Sequence, residues 1–177
     1  VDYWDAIGWP DRFADRRFSE RQRRYKQEGA VRGVYTPGVV AGGEEWRAWR
    51  RRGASPAAHD VGSSIGGELT AVLSDDELRV VYTAPPATQV SAYRMHAAWL
   101  GMDQVSEVRA GENRGKRLIS DFVVLEVAEL PMVVANGEVA VLFQVPQGYR
   151  EDASALAVWV SANGLQAPLQ ATGGWLQ

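Results

Sequence analysis

Apolar and polar residues alternate along most of the second half of the chain, which is the pattern of β-strands with two unlike faces. Tyr, Met, Ala and Trp, for example, occupy every second position from Tyr93 to Trp99. Eight such segments, separated by turn residues, predict an antiparallel β-sandwich. They cover residues 69–73, 78–83, 93–100, 104–109, 118–129, 138–145, 155–161 and 165–171.

Gly, Pro, Asn and Asp punctuate these segments. Asn163-Gly164 lies between two strand-like runs and predicts a tight hairpin, because such a turn needs positive φ at both residues. Gly111 to Gly115 is interpreted as a turn or bulge. It lacks the Gly-Lys-Ser/Thr ending of a phosphate-binding loop and precedes a strand rather than a helix.

The first 60 residues differ in pattern. Ser19 and Gln22 match a capping box and predict a helix over residues 19–28, with its charged positions 16–24 mostly facing solvent. One helix face would carry Phe18, Gln22 and Tyr25.

Segments without helical periodicity flank this helix. Residues 1–9 are interpreted as the end of a strand running into a loop, and residues 31–40 as strand-like around Pro37. Residues 53–67 have the composition of a linker. The chain therefore divides into predicted units at residues 1–60 and 61–177.

Charge narrows the classes of function. The 177 residues have a formal net charge of −3, so no overall positive field attracts nucleic acid. Residues 1–60 hold 12 Lys and Arg against 9 Asp and Glu, whereas residues 61–177 hold 7 against 13, which suggests mutual attraction. No apolar run approaches the roughly 20 residues of a transmembrane helix.

The sequence contains few residues that could carry out catalysis or bind a metal ion. The chain has no cysteine, so it forms neither a disulfide nor a reactive thiolate. His59 and His96 are too isolated for a metal site or a Ser-His-Asp arrangement, and His96 is expected to be a packed or surface residue. We expect no cofactor. For the basic run 47–52, a solvated face is favoured over a site for an acidic partner or phosphate.

Short motifs in both halves follow the order and spacing of one known family. The first half contains Asp2-Tyr3-Trp4-Asp5, Gly8-Trp9-x-Asp11, Phe13, Phe18, Arg21-Gln22, Tyr25 and Val34-Tyr35-Thr36-Pro37. The second half contains Gly111-Glu112-Asn113-Arg114-Gly115, Asp121-Phe122-Val123-Val124 and Gln170-Ala171-Thr172-Gly173-Gly174-Trp175. Together they resemble the bacterial secreted family labelled domain-of-unknown-function family 1223.

This resemblance implies an α+β fold: an incomplete thioredoxin-like α/β unit in residues 1–60, followed by an antiparallel β-sandwich. It also implies a segment ahead of Val1 that carries the first strand and a Cys-x-x-Cys helix. In thioredoxin-like folds the corresponding proline is usually cis and faces the cysteine pair. The implied redox-site wall or binding surface comprises Asp2, Tyr3, Trp4, Asp5, Tyr35, Thr36 and Pro37.

Each of these residues also has a structural interpretation. Thr36-Pro37 could be a strand-entry turn, and Asp2 and Asp5 could cap a loop rather than accept a proton from a thiol. The aromatic residues could form a binding surface, although aromatic side chains more often belong to the core. They are Tyr3, Trp4, Trp9, Trp46 and Trp49.

Three functions fit these patterns. The first is a periplasmic or secreted thiol–disulfide protein whose cysteines lie upstream. The second is a non-catalytic envelope binding or accessory module, and the third is one piece of a larger assembly. Because a partial sheet exposes an edge, we expect Tyr3, Trp4, Phe13 and Phe18 to be covered by an upstream segment, a protein partner or the β-sandwich.

Overall fold

The computed structural model describes residues 1–6, 10–51, 66–86, 88, 90–111, 113–135 and 138–176. These residues form mostly antiparallel β-sheet with one α-helix, α1 (Arg16–Gln27), and no closed barrel. The predicted α+β class is therefore confirmed. Trp9, Asn136-Gly137, His59 and most of the predicted linker lie outside the described residues.

Two four-stranded antiparallel sheets dominate the fold. The first, in spatial order, contains β3 (Glu68–Ser74), β4 (Glu77–Thr83), β10 (Glu138–Gln144) and β9 (Val133–Ala135). The second contains β12 (Pro168–Trp175), β11 (Ala155–Ala162), β5 (Tyr93–Gly101) and β8 (Val123–Pro131). Two short ribbons complete the described sheet structure: β1 (Val40–Ala41) with β2 (Glu44–Glu45), and β6 (Gln104–Glu107) with β7 (Arg117–Ser120).

The two large sheets share one hydrophobic core, so they pack as a sandwich. Alternate residues of β4 and β5 face each other in it, because successive side chains of a strand point to opposite faces. Its fully buried members include Leu78, Val80 and Tyr82 from one sheet and Met95, Ala97 and Trp99 from the other.

All eight predicted strand segments contain strands, but several boundaries were wrong. Segment 118–129 is two strands, because the chain turns at Phe122, whose φ is +54°. Strand β9 was missed because it has only three residues. The 163–164 hairpin exists, but only Gly164 has positive φ and the connection has five residues, so the predicted two-residue turn was wrong.

Helix α1 begins earlier than the capping-box pattern predicted. The Asp15 carboxylate accepts the Arg17 N–H at 2.7 Å and caps the helix, so Ser19 lies inside the helix, where it is fully buried. The predicted strand end at residues 1–9 is also wrong in its described part, since residues 3–6 form a turn.

The prediction that the charges of α1 mostly face solvent is confirmed for four exposed residues, whereas Arg21 and Arg24 are half-buried. The exposed residues are Arg16, Arg17, Glu20 and Arg23. Arg17, Arg21 and Arg24 point toward the sandwich, where they reach carboxylates of β8. The outer face of β5 is therefore covered, and His96 and Ala98 are buried together with the core-facing side of the strand.

The thioredoxin-like unit and the boundary between residues 1–60 and 61–177 remain predictions. Within 31–40, expected to be strand-like, only Val40 is in a strand, so the described part of the first unit contains α1, the β1–β2 ribbon and the 3₁₀ helix Arg47–Arg50. Of the described residues, no helix combines the length and apolar character needed to cross a membrane.

Candidate functional site

Helix α1 brings together the two sequence segments that were predicted to form a site. The Gln22 side chain accepts a hydrogen bond from Tyr3 Oη at 2.9 Å and donates one to the Tyr35 carbonyl at 2.5 Å. A second link is direct, since Trp4 Nε1 donates to Thr36 Oγ1 at 2.6 Å. Two segments that are distant along the chain therefore form one connected edge.

The Thr36–Pro37 peptide bond is cis, as predicted. Both residues are exposed, so this part of the edge faces solvent. The Tyr35 ring is held in place by a hydrogen bond, because its hydroxyl donates to the Glu45 carboxylate of β2. That bond lowers the pKa of Glu45 and raises the pKa of Tyr35, so Glu45 is the ionised acceptor and Tyr35 the neutral donor near pH 7.

The two aspartates have structural contacts. Ser19 Oγ donates to the Asp2 carboxylate, and this bond is the main reason why the pKa of Asp2 is lowered. The Asp5 carboxylate accepts the Asp11 N–H at 3.2 Å. Both contacts fit the loop-capping interpretation, and the lowered pKa also makes Asp2 a weak proton acceptor.

An apolar cleft of about 260 Å³ opens beside this edge. One wall is the predicted face of α1, with Phe18, Gln22 and Tyr25, and the opposite wall is the segment from Val31 to Glu45. Tyr35 and Thr36 stand at both the cleft and the edge, so whatever enters the cleft meets the predicted site residues.

The five aromatic residues do not form one surface. Tyr3 and Trp4 are neighbours, with ring centroids 5.8 Å apart, and Trp4 is 48% exposed. Trp46 is buried, whereas Trp49 lines a separate hollow with Tyr35. Trp9 lies outside the described residues. The core interpretation is thus correct for Trp46, whereas Trp4 lies at the surface and its role in binding stays a prediction.

Sequence reasoning missed a polar cluster under α1. Glu129 of β8 lies 3.3 Å from Arg24, 3.6 Å from Arg21 and 3.5 Å from His96 Nδ1. Burial lowers the pKa of His96, whereas the contact with His96 and the nearby Arg24 lower the pKa of Glu129 to about 2. The Arg-x-x-x-Arg-x-x-Arg spacing of α1 was the available signal, since those positions share one helix face.

Within this cluster, Ser161, His96 and Glu129 have the connectivity of a hydrolase triad. The distance from Ser161 Oγ to His96 Nε2 is 2.9 Å, and the His96 ring stacks on Trp159 with centroids 5.0 Å apart. Ser161 and His96 are fully buried, so no substrate reaches the hydroxyl in this structure. The packed role predicted for His96 is confirmed, and the cluster fastens α1 to the sandwich.

Other contacts strengthen this attachment. The Gln166 N–H donates to Glu28 at 2.9 Å, and the Arg21 guanidinium lies 4.9 Å from the Trp159 ring centroid. Specific residue pairs therefore account for the expected attraction between the two halves of the chain. Across the described residues, no group of His, Asp and Glu side chains is placed to hold a metal ion.

The fold and contacts define a class: an α+β protein in which one arginine-rich helix fastens an irregular N-terminal segment to a two-sheet antiparallel sandwich. The chain belongs to the family described as "Protein of unknown function (DUF1223)", which it matches over residues 1–161. Neither the curated proteins nor the solved structures contain a match to this chain.

Proposed function

We propose that this protein is a periplasmic or secreted thioredoxin-like protein in which residues 2–5 and 35–37 form the substrate-facing wall of a thiol–disulfide site. One observation carries the proposal. The Trp4–Thr36 hydrogen bond fixes an exposed edge at the mouth of an open apolar cleft. A substrate polypeptide could lie along this edge while the reacting sulfurs meet beside it.

The thiols must come from outside these 177 residues, because the chain has no cysteine. The family resemblance implies a Cys-x-x-Cys segment for this purpose. One thiolate would attack the substrate disulfide and release a substrate thiolate, and the second would attack the resulting mixed disulfide. The two enzyme thiols are oxidised to a disulfide while the substrate disulfide is reduced to two thiols.

Within such a site, the residues of this chain would bind and orient the substrate. Gln22 and Trp4 hold Tyr35 and Thr36 in place from two sides, and Glu45 holds the Tyr35 ring. A fixed wall lowers the entropy lost when a flexible polypeptide is positioned for reaction.

Insulin reduction tests the proposal. The 177-residue chain should not exceed a protein-free control, whereas the complete product of its gene should reduce insulin and lose that activity when its cysteines are changed to serine. Activity of the chain alone, or an inactive complete product, would overturn the proposal.

Two tryptophan variants of that complete product test the wall itself. Trp4→Phe removes the hydrogen bond to Thr36 while keeping an aromatic ring, and we expect about a tenfold loss of kcat/KM. Trp175→Phe is the matched control, because Trp175 is also exposed but lies at the end of β12. Equal effects of the two variants would contradict a role for Trp4 in the site.

The second candidate is a non-catalytic binding or accessory module of the envelope. The absence of cysteine and the open cleft favour it. Intact mass and N-terminal sequencing of the protein purified from its natural source separate the two candidates. A mature protein that begins at Val1 favours the binding module, whereas a longer one with Cys-x-x-Cys favours the redox protein.

A further inference from the structure

A second hollow, of about 340 Å³, shares Tyr35 with the apolar cleft. Its described lining is Tyr35, Trp49 and two arginines, Arg47 and Arg50, which are the first and last residues of a 3₁₀ helix. Two arginines and two aromatic residues thus line one hollow.

Among the described residues, neither Arg47 nor Arg50 has a carboxylate within ion-pair distance, whereas Arg17 and Arg24 each have one in β8. Arg50 lies 5.3 Å from the Trp49 ring centroid. The Glu45 carboxylate accepts the Tyr35 hydroxyl, and its negative charge attracts Arg47 without forming an ion pair with it.

The backbone that carries these side chains is fixed. Trp46, just before the 3₁₀ helix, is buried and its N–H donates to the Val39 carbonyl at 2.9 Å. The Glu45 N–H donates to the Ala30 carbonyl at 2.9 Å, and the Arg51 N–H closes the 3₁₀ turn onto Ala48 at 2.9 Å. The hollow therefore has a preorganised frame, which reduces the entropy lost on binding.

Tyr35 is a wall of both the hollow and the apolar cleft, so a positively charged space adjoins an apolar one. A free inorganic anion would use only the first. An extended polypeptide would use both, because residues i and i+2 of a strand point to the same side, about 7 Å apart. Arginine is also suited to carboxylates, which it can bind through two parallel hydrogen bonds.

We propose that this surface binds an extended, acidic polypeptide segment, with an Asp or Glu carboxylate between Arg47 and Arg50 and an apolar side chain two residues away in the cleft. The binding needs no thiol. It is therefore tested separately from the redox proposal, and either can fail while the other holds.

The test is fluorescence anisotropy of the 177-residue chain with a labelled peptide that contains Leu-Ser-Glu. Two matched peptides replace Glu by Lys or Leu by Gly. We expect the Leu-Ser-Glu peptide to bind at least about tenfold more tightly than either, and its affinity to fall as salt is raised.

Protein variants locate the site. The double variant Arg47→Ala/Arg50→Ala should weaken binding of the Leu-Ser-Glu peptide about tenfold or more, since it removes both charged donors. Arg109→Ala, at an exposed arginine that follows β6, is the control and should bind normally. Val40→Ser should weaken binding through the cleft. Thermal melts of each variant confirm that it is folded.

Several results would overturn the proposal. They are no saturable binding of the Leu-Ser-Glu peptide at millimolar concentration, equal binding of the Lys peptide, or an equal loss in the double variant and in Arg109→Ala. Full affinity of the Gly peptide, together with displacement by millimolar inorganic phosphate, would show a simple anion site and would also reject a polypeptide ligand.

Discussion

Replacement of Glu129 by Gln should loosen helix α1 from the sandwich. The Glu129 carboxylate is shared by Arg21, Arg24 and His96, all within 3.6 Å. The amide keeps the size of the side chain but removes its charge, which leaves two arginine side chains near a largely buried sheet face without their anionic acceptor. Removing one partner of a buried ion pair is more destabilising than never having had the pair.

The magnitude follows from the pKa of Glu129, which is lowered from 4.5 to about 2. At about 1.4 kcal/mol per pKa unit, this corresponds to roughly 3 kcal/mol of stabilisation of the ionised form. The side chain is only 24% exposed, so solvent screening reduces this value little. His96 is neutral near pH 7 and contributes less than a cation would, so we expect a loss of about 2 kcal/mol.

The direction in which stability changes with pH follows from the lowered pKa of Glu129. Because the folded-state pKa of Glu129 is lowered, its stabilisation is complete above pH 4.5 and is lost as the pH falls toward 2. The difference in stability between wild type and Glu129→Gln should therefore be constant near neutral pH and shrink in acid.

Urea unfolding at pH 7 measures the loss in the free energy of unfolding. In a thermal melt, the same loss of about 2 kcal/mol should lower Tm by roughly 4–8 °C. Glu126→Gln is the matched control on the same strand. Its pair with Arg17 is 3.5 Å long and more exposed, so its loss should stay below about 0.5 kcal/mol. Equal losses in the two variants, or a change under about 0.5 kcal/mol for Glu129→Gln, would refute this account of α1 docking.

Three further predictions concern single sites. His96 is buried with a lowered pKa, so wild-type stability should fall as the pH drops below 6.5, and urea unfolding of His96→Gln should show a smaller fall. Gly43→Ala should lose about 2 kcal/mol by calorimetry, because φ is +90° and the new Cβ would lie 2.6 Å from Ala167; no loss would contradict this packing. Ser19→Ala should lose about 1 kcal/mol and expose residues 1–6 to limited proteolysis, whereas unchanged cleavage would reject the Asp2–Ser19 anchor.

The sequence predicts which residues belong to the candidate site, but not how they contact one another. The motifs around Tyr3-Trp4 and Tyr35-Thr36 are recognisable without any knowledge of their contacts. The connection between them was not predictable, because it runs through Gln22, which the local pattern assigns to a helix cap. When a side chain could hydrogen-bond either a nearby backbone group or a distant residue, only the tertiary structure fixes which partner it has.

Most strands of the sandwich could be predicted from local sequence, although β9 and the break between β7 and β8 could not. Period-two alternation and turn residues act over a few positions, so β4, β5 and β11 are readable one segment at a time. The sequence also excluded thiol chemistry within this chain, since no cysteine is present.

The carboxylate partners of the α1 arginines depend on the tertiary fold. Arg24 and Glu129 are 105 positions apart, and nothing near Arg24 in sequence shows that a carboxylate lies opposite it on β8. Local sequence does not distinguish an arginine that stays in solvent from one that pairs with an acidic surface, because its long, charged side chain suits both arrangements. The outer face of β5 became buried, and His96 with it, because the helix docked there.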